Sequence, residues 1–458
     1  MFPKDMEVEP ACRPLRVAIV YSRIPLPMRR ADQMTVAHLL AFLKARGHQV
    51  DLFCIKTGAV STAADEDWLR QACRSVHFYK HDWRDFARAL LFAFFRGVPL
   101  QVGYFSSPLQ RKELHSAVAA SEYDVVYTYY LRSAEIVRGL GRRADSPQNG
   151  RAPATFLALQ LSQALNARRI AQNAPNLWVK WLYRVESRLL ARYESTIWRD
   201  FTRTVLIGRA DVEEIQENCR KWNKPLIDNF VFGAHGTDIN RFAPRIDTPA
   251  RPHHLVFSGV MKTPTNVQAV QWFARNVWPK VRAAVPDATW SIVGREPTPE
   301  VRRLAALAGV EVTGTVSDPS ACIAQAEVCI NPMQAGGGMQ NKLIEYLASG
   351  KPTVATSVAN EGLGATAQKH LLIADRPEDF ANAVIELLRN PDYRERLSVA
   401  AREFAISHWT WESHFLKLEE AFYEVLLKDE LPTSDASPNG LAGLDSRTAQ
   451  PQFASAQR

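Results

Sequence analysis

The amino-acid sequence predicts an α/β protein of two domains, each built on a parallel sheet. Three observations predict it. Short apolar runs alternate with amphipathic stretches from Arg16 to about Ala374, the order that lays strands side by side with helices crossing over them. The rhythm resets near residue 230, in the turn-forming segments Gly233-Ala-His-Gly-Thr-Asp238 and 244–252. The chain of 458 residues also exceeds one core, at roughly 150 residues per domain.

In order, residues 16–21 (Arg-Val-Ala-Ile-Val-Tyr) read as a buried strand. A loop with Pro25 and Pro27 follows, then a helical pattern over 33–46, with Asp32 as its N-cap and Gly47 as its stop. Strands are expected at 50–55, 75–79, 125–129, 154–159 and 203–207. The second series is 254–258, 289–293, 310–313, 327–331, 353–356 and 371–374, with helical stretches between. A last amphipathic helix runs from about Trp409 to Leu427. Beyond Asp429 the chain turns to Ser, Pro, Gly, Ala and Gln, the composition of a disordered tail.

Composition narrows the class. Hydrophobic residues at 46% and charged residues at 23% exclude a mostly disordered chain. Lys+Arg 56 against Asp+Glu 48 gives +8, which favours anionic partners. The six cysteines include no CxxC pair and no zinc spacing, so they read as small buried hydrophobes of a reducing cytosol. The first 16 residues have no signal-type apolar core. The longest apolar run, 89–95, falls short of the ~20 residues that span a bilayer. A cytoplasmic protein is expected, with peripheral membrane contact left open.

The chemistry concentrates in 330–352, Ile-Asn-Pro-Met-Gln-Ala-Gly-Gly-Gly-Met-Gln-Asn-Lys-Leu-Ile-Glu-Tyr-Leu-Ala-Ser-Gly-Lys-Pro. A strand ends at Asn331, Gly336, Gly337 and Gly338 follow, and a helix starts near Met339. Glycines let backbone approach a ligand, and the helix N-terminus adds positive potential, which together suit a diphosphate. Lys342 and Glu345 share one helix face, with Leu343, Ile344 and Leu347 turned to the core. Lys342 would reach a phosphate and Glu345 a ribose diol. The plain alternative is an exposed pair worth about 0.3–0.5 kcal/mol.

Four segments in succession carry a resemblance: Phe257-Ser-Gly-Val-Met-Lys-Thr-Pro-Thr-Asn-Val-Gln-Ala269, Ser291-Ile-Val-Gly-Arg295, Val312-Thr-Gly-Thr-Val-Ser-Asp318 and the glycine–helix segment. The chain resembles the donor-binding half of family-four (group one) glycosyltransferases, and among them bacterial sugar transferases of exopolysaccharide assembly. The likeness is strong from about residue 250 to 410. It is weaker in the N-terminal half, where the first strand, its loop and Arg46-Gly-His-Gln-Val50 carry it.

The resemblance implies a GT-B fold, two Rossmann-like domains facing a cleft. It implies a mobile start at 1–14, an acceptor domain at 15–235 and a donor domain at 236–408. A helix at 409–428 would cross back onto the first domain, and 429–458 would be a tail. Transfer would retain anomeric configuration, without metal or cofactor, from a nucleoside diphosphate sugar that is itself a substrate. By motif, Glu345 would hold the ribose, and Gly259, Lys262 and Lys342 would face the diphosphate. Gly294 and Arg295 would lie near the nucleotide, and Thr313 and Val316 near the base. The amides of Gly336, Gly337, Gly338 and Met339 would meet phosphate and sugar. Positive groups there stabilise the charge left on the diphosphate.

Two departures stand out. Family members often carry a second glutamate where this chain has Gly337, and a His where it reads Tyr127-Thr-Tyr-Tyr130. They keep a non-catalytic GT-B scaffold among the readings, beside a nucleotide-sugar epimerase, for which no acid–base carboxylate set is evident. Nucleic-acid binding finds no module in the sequence.

For an acceptor, Arg29 and Arg30 beside a helix start suit an anionic group, with Arg23 and Gln33 near them. Gln160 and Ser162, at a strand end, suit a sugar. Two stretches, 83–96 and 177–203, are basic, aromatic and amphipathic. Each reads either as a core-facing helix with a solvated basic edge or as a helix lying on an anionic leaflet.

Overall fold

The computed structural model describes residues 8–11, 13–28, 30–56, 61–80, 83–120, 123–140, 152–173, 177–233, 236–245, 247–334 and 340–430. The expected tail after 430, most of the N-terminal arm, and the site residues Arg29, Gly336, Gly337, Gly338 and Met339 lie outside them.

Two parallel sheets organise the chain. The first holds β1 (Arg16–Tyr21), β2 (Gln49–Lys56), β3 (Ser75–Lys80), β4 (Val125–Tyr129), β5 (Ala154–Gln160), β6 (Arg203–Leu206) and β7 (Phe230–Phe232), in the order β3-β2-β1-β4-β5-β6-β7. The second holds β8 (His254–Ser258), β9 (Thr289–Val293), β10 (Val310–Gly314), β11 (Val328–Asn331), β12 (Thr353–Ala355) and β13 (Leu372–Ile373), in the order β10-β9-β8-β11-β12-β13. Helices cover both faces, so central strands such as β4 and β8 are buried throughout. Strand order reverses between β1 and β4, and again between β8 and β11. Ligands of such sheets bind outside the carboxyl ends at those switch points.

Two local expectations are corrected. β7 is an edge strand absent from the expected series: its apolar run, Phe230-Val231-Phe232, is only three residues long and abuts the turn-forming segment at Gly233. Asp32 is not a helix cap: the helix Ala31–Ala45 has Arg30 at its N-cap, with no side-chain capping bond. Asp32 is buried instead and accepts from the Tyr21 hydroxyl (2.9 Å) and from Arg23 (2.7 Å).

The last helix, Trp411–Glu430, joins the core of the first sheet. Phe415 meets Phe42 at 5.5 Å between ring centres, and Phe422 meets Phe156 at 4.8 Å. Glu419 fixes it, bound by Arg46 Nη2 at 2.7 Å and by His48 Nε2 at 2.6 Å. The Arg46-Gly-His turn is thus a clamp for a helix more than 370 residues away. Beside it, the Thr237 N–H donates to the Trp409 carbonyl (2.8 Å), so the chain crosses between the halves twice at one place. No described helix is long and apolar enough to cross a membrane.

Candidate active site

The loops after β8 and β9 run against each other. The Gly259 N–H donates to the Val293 carbonyl, and the Met261 N–H to the Arg295 carbonyl, both at 2.9 Å. A Cβ on Gly294, whose φ is +151°, would overlap the Gly259 carbonyl. A Cβ on Gly259 would lie 2.8 Å from Asn266 Nδ2 and 3.3 Å from Lys342 Nζ. Side chains are thus excluded where the backbone must come closest to Lys342.

Lys342 lies in the first turn of the helix Asn341–Ala348. Tyr346 ties this helix to β8: its hydroxyl accepts the Ser258 N–H at 2.7 Å. Lys342 Nζ donates to Asn266 Oδ1 at 2.6 Å and stands 4.2 Å from the centre of the Phe257 ring. It makes no ion pair among the described residues. Burial lowers its pKa to about 7, against the opposing pull of Glu345. Glu345, one turn on, has no hydrogen-bond partner for its carboxylate among the described residues. Burial raises its pKa to about 7, opposed by Arg241 and then Lys342. A half-buried cation without a counter-ion, two bare glycines and a carboxylate with free acceptor capacity suit an anion followed by a hydroxyl-rich group.

The other residues expected on the donor side are half-buried or exposed. Lys262 pairs with Glu296 at 2.7 Å, with side chains 63% and 49% exposed. Arg295 is exposed on the same loop. Thr313 and Val316 are half-buried at the end of the edge strand β10, and the Thr313 hydroxyl donates to the Gly314 carbonyl (3.1 Å).

The facing half is built differently. Tyr130 and Gln160, at the carboxyl ends of the neighbouring strands β4 and β5, both take left-handed backbone angles, φ 71° and 67°. Gln160 is buried, and its Nε2 has no partner among the described residues. Ser162 is committed to structure: its hydroxyl donates to Glu194 and its N–H to Asp211. Gln33 is buried and donates to the Ile24 carbonyl at 2.9 Å, stapling the first loop. Arg30 is 62% exposed, 3.6 Å from Asp32.

Arg132 was not singled out in the sequence. Its Nε donates to Gln101 Oε1 at 3.0 Å, and its guanidinium lies over Tyr130 and Phe105. Burial, then repulsion from Arg23, pulls its pKa below the ordinary arginine value. Asn266 was quoted only as part of a motif, and its place beside a helix-start proline was the available signal. Between the halves, a cavity of about 500 Å³ is lined by Ile207, Arg209, Asp211 and Phe232 from one and by Glu361 and Leu363 from the other.

Comparison with known proteins bears on this half of the molecule first. Residues 252–390 match a family described as "Glycosyl transferases group 1". This stretch is a group 1 glycosyltransferase domain. It contains β8 to β13 and the whole Lys342 cradle. Over 398 residues the enzyme is 20% identical to an "Uncharacterized 44.6 kDa protein in cps region" of Klebsiella pneumoniae, covering 85% of this chain and 95% of that one. It is 26% identical over 313 residues to a phosphatidyl-myo-inositol mannosyltransferase of Mycobacterium leprae, covering 60% and 80%.

Among solved structures, sucrose-phosphate synthase of Thermosynechococcus elongatus superposes with TM-score 0.60 at 15% identity, covering 90% of this chain and all of that one. Anabaena HepE, solved with UDP, gives 0.58 at 12% identity with the same coverage. The fold of the glycosyltransferase is therefore GT-B, two Rossmann-like sheets, and the GT-B expectation holds at the level of topology.

Proposed function

We propose that the enzyme moves a sugar from a nucleoside diphosphate sugar to a lipid-linked saccharide in bacterial polysaccharide assembly, without metal and with retention of configuration. The observation that carries the donor half is the uncompensated Lys342 ammonium behind Gly259 and Gly294, with Glu345 one turn away. The diphosphate sits against Lys342, which neutralises the charge developing on the leaving group. Glu345 accepts from the ribose diol. Likeness to a cps-region protein and to a phosphatidyl-myo-inositol mannosyltransferase supports a polysaccharide or lipid-borne acceptor.

The acceptor enters from an anionic membrane leaflet on the cytoplasmic side. Support comes from the helix Trp83–Arg96, in which Ala89 alone is buried. Trp83 (74%), Phe94 (83%) and Phe95 (75%) are exposed, and Arg84 and Arg96 lie over Trp83 and Phe92. The helix Leu177–Ile197 divides along its length: its start exposes Leu177, Trp178 and Trp181, while Leu190, Tyr193 and Ile197 join the core. The core-facing reading holds for the end of that helix, and the exposed aromatic residues at its start support the leaflet reading.

The test is sugar transfer from labelled nucleotide sugars to membrane extract in excess chelator, with the product's anomeric configuration determined. Glu345→Ala is expected to lower turnover at least 100-fold, and full activity in that variant would remove the assigned role. Flotation with anionic but not neutral vesicles is expected, and equal flotation with both would remove the leaflet contact.

A further inference from the structure

A second cavity, of about 280 Å³, opens in the N-terminal half between the helices Leu100–Phe105, Gln163–Asn173 and Leu177–Ile197. Its inner wall is polar: Arg132, Gln101 and Gln163. Gln163 follows β5 by three residues, so this wall stands at the carboxyl edge of the sheet, three residues on from Gln160, whose Nε2 has no partner among the described residues. Leu100, Ile170 and Leu182 give the cavity an apolar lining beside Asn166 and Tyr183, and Ile170 and Leu182 also reach the surface, at 38% and 43% exposure. Trp178 stands one turn before Leu182 and is 79% exposed. The cavity thus runs from the sheet edge to the aromatic surface.

Charge is unbalanced in this wall. The one carboxylate lining it, Glu186, is already engaged: its two oxygens accept the N–H groups of Leu100 (3.0 Å) and Gln101 (3.2 Å). Arg132 has a neutral partner, Gln101, and no carboxylate within ion-pair distance among the described residues. Nearby, Arg23 and Arg30 share the single carboxylate Asp32. Stacked on Tyr130 and Phe105, the guanidinium is held in place with donors to spare.

We propose that this cavity receives the phosphate-proximal end of a lipid-borne acceptor, with Arg132 binding the phosphate and Ile170, Leu182 and Trp178 lining the path of the acyl or prenyl chain to the membrane. The proposal rests on the glycosyltransferase reading above and names the acceptor chemistry of the same cleft. A phosphate suits Arg132 because a planar, fixed guanidinium bonds two of its oxygens at once. An apolar chain suits Leu100, Ile170 and Leu182, which give the cavity its apolar lining towards the surface.

The test uses full-length protein and monomeric dodecyl phosphate, followed by tryptophan fluorescence, with inorganic phosphate and dodecyl maltoside as controls. Dodecyl phosphate is expected to bind at least tenfold more tightly than either control. Arg132→Gln is expected to lose at least tenfold, and Arg132→Lys to lose less. Leu182→Glu, at an exposed position that the fold tolerates, is expected to weaken the same ligand and provides the answer if Arg132→Gln does not fold. Equal binding of inorganic phosphate, or unchanged affinity in Arg132→Gln and Leu182→Glu, overturns the proposal. Nucleotide titration of the wild-type protein separates the two readings. Nucleotide binding without dodecyl phosphate binding removes this inference alone, and absence of nucleotide binding removes the donor reading beneath it.

Discussion

The carboxyl edges of the two sheets make opposite use of similar folds. At the second sheet, close packing of glycine backbone brings loops together: Gly294 abuts Gly259, and Lys342 and Asn266 lie behind them. The residues come from three short segments, each beginning at a strand end. At the first sheet, the edge is made of bulky residues in left-handed conformation, Tyr130 and Gln160, with Arg132 supported by a glutamine 31 positions away. One edge is tightly packed glycine backbone around a single lysine. The other is a wider, partly apolar wall, continuous with an exposed aromatic surface.

This difference suggests variants that separate the halves. The largest effect is expected at the helix shared across the chain. Glu419→Ala leaves Arg46 and His48 without their carboxylate, and breaking such a buried pair costs about 3 kcal/mol. Denaturant unfolding is expected to show the loss in the N-terminal half, with the 252–390 domain less affected. Equal loss in both halves would make the molecule one cooperative unit and erase the distinction.

A pH series on nucleotide affinity comes next. Lys342 is protonated below its lowered pKa of about 7 and neutral above it. An anionic ligand favours the charged form, so affinity is expected to fall by about tenfold per pH unit above 7. Glu345 moves the other way: raised to about 7, it gains a proton as pH falls and loses acceptor capacity for a diol. The profile should therefore peak near neutrality, and a flat profile from pH 6 to 9 would sever the link to this pair. The smallest effect is expected for Lys262→Ala. Its exposed pairing with Glu296 is worth about 0–1 kcal/mol, so nucleotide affinity should change by less than about fivefold.

The same contrast explains what the sequence disclosed. Apolar runs marked the strands of both sheets because parallel strands are buried on both faces. The edge strand β7 escaped because its apolar run is only three residues long. The proposed donor side was legible because glycines, a lysine and a glutamate fall in register along one strand–loop–helix segment, and Lys342 and Glu345 meet on one face as their spacing requires. The proposed acceptor side was not. Arg132, Gln101 and Glu186 are brought together by helix packing, which leaves no short-range pattern. Tyr130 and Gln160 adopt left-handed angles that glycine would have signalled. Asp32 looked like a cap because an acidic residue stood at a helix start, whereas its buried pairing with Arg23 depends on a loop nine residues earlier.

The most direct test of the central claim is calorimetric titration of the full-length protein with UDP, GDP, ADP and dTDP in excess chelator, repeated on Lys342→Gln. Binding of one nucleotide in the micromolar range, about −8 kcal/mol, and roughly 100-fold weaker binding by the variant are predicted. Heat from none of the four, or equal affinity in Lys342→Gln, would contradict a diphosphate site at Lys342.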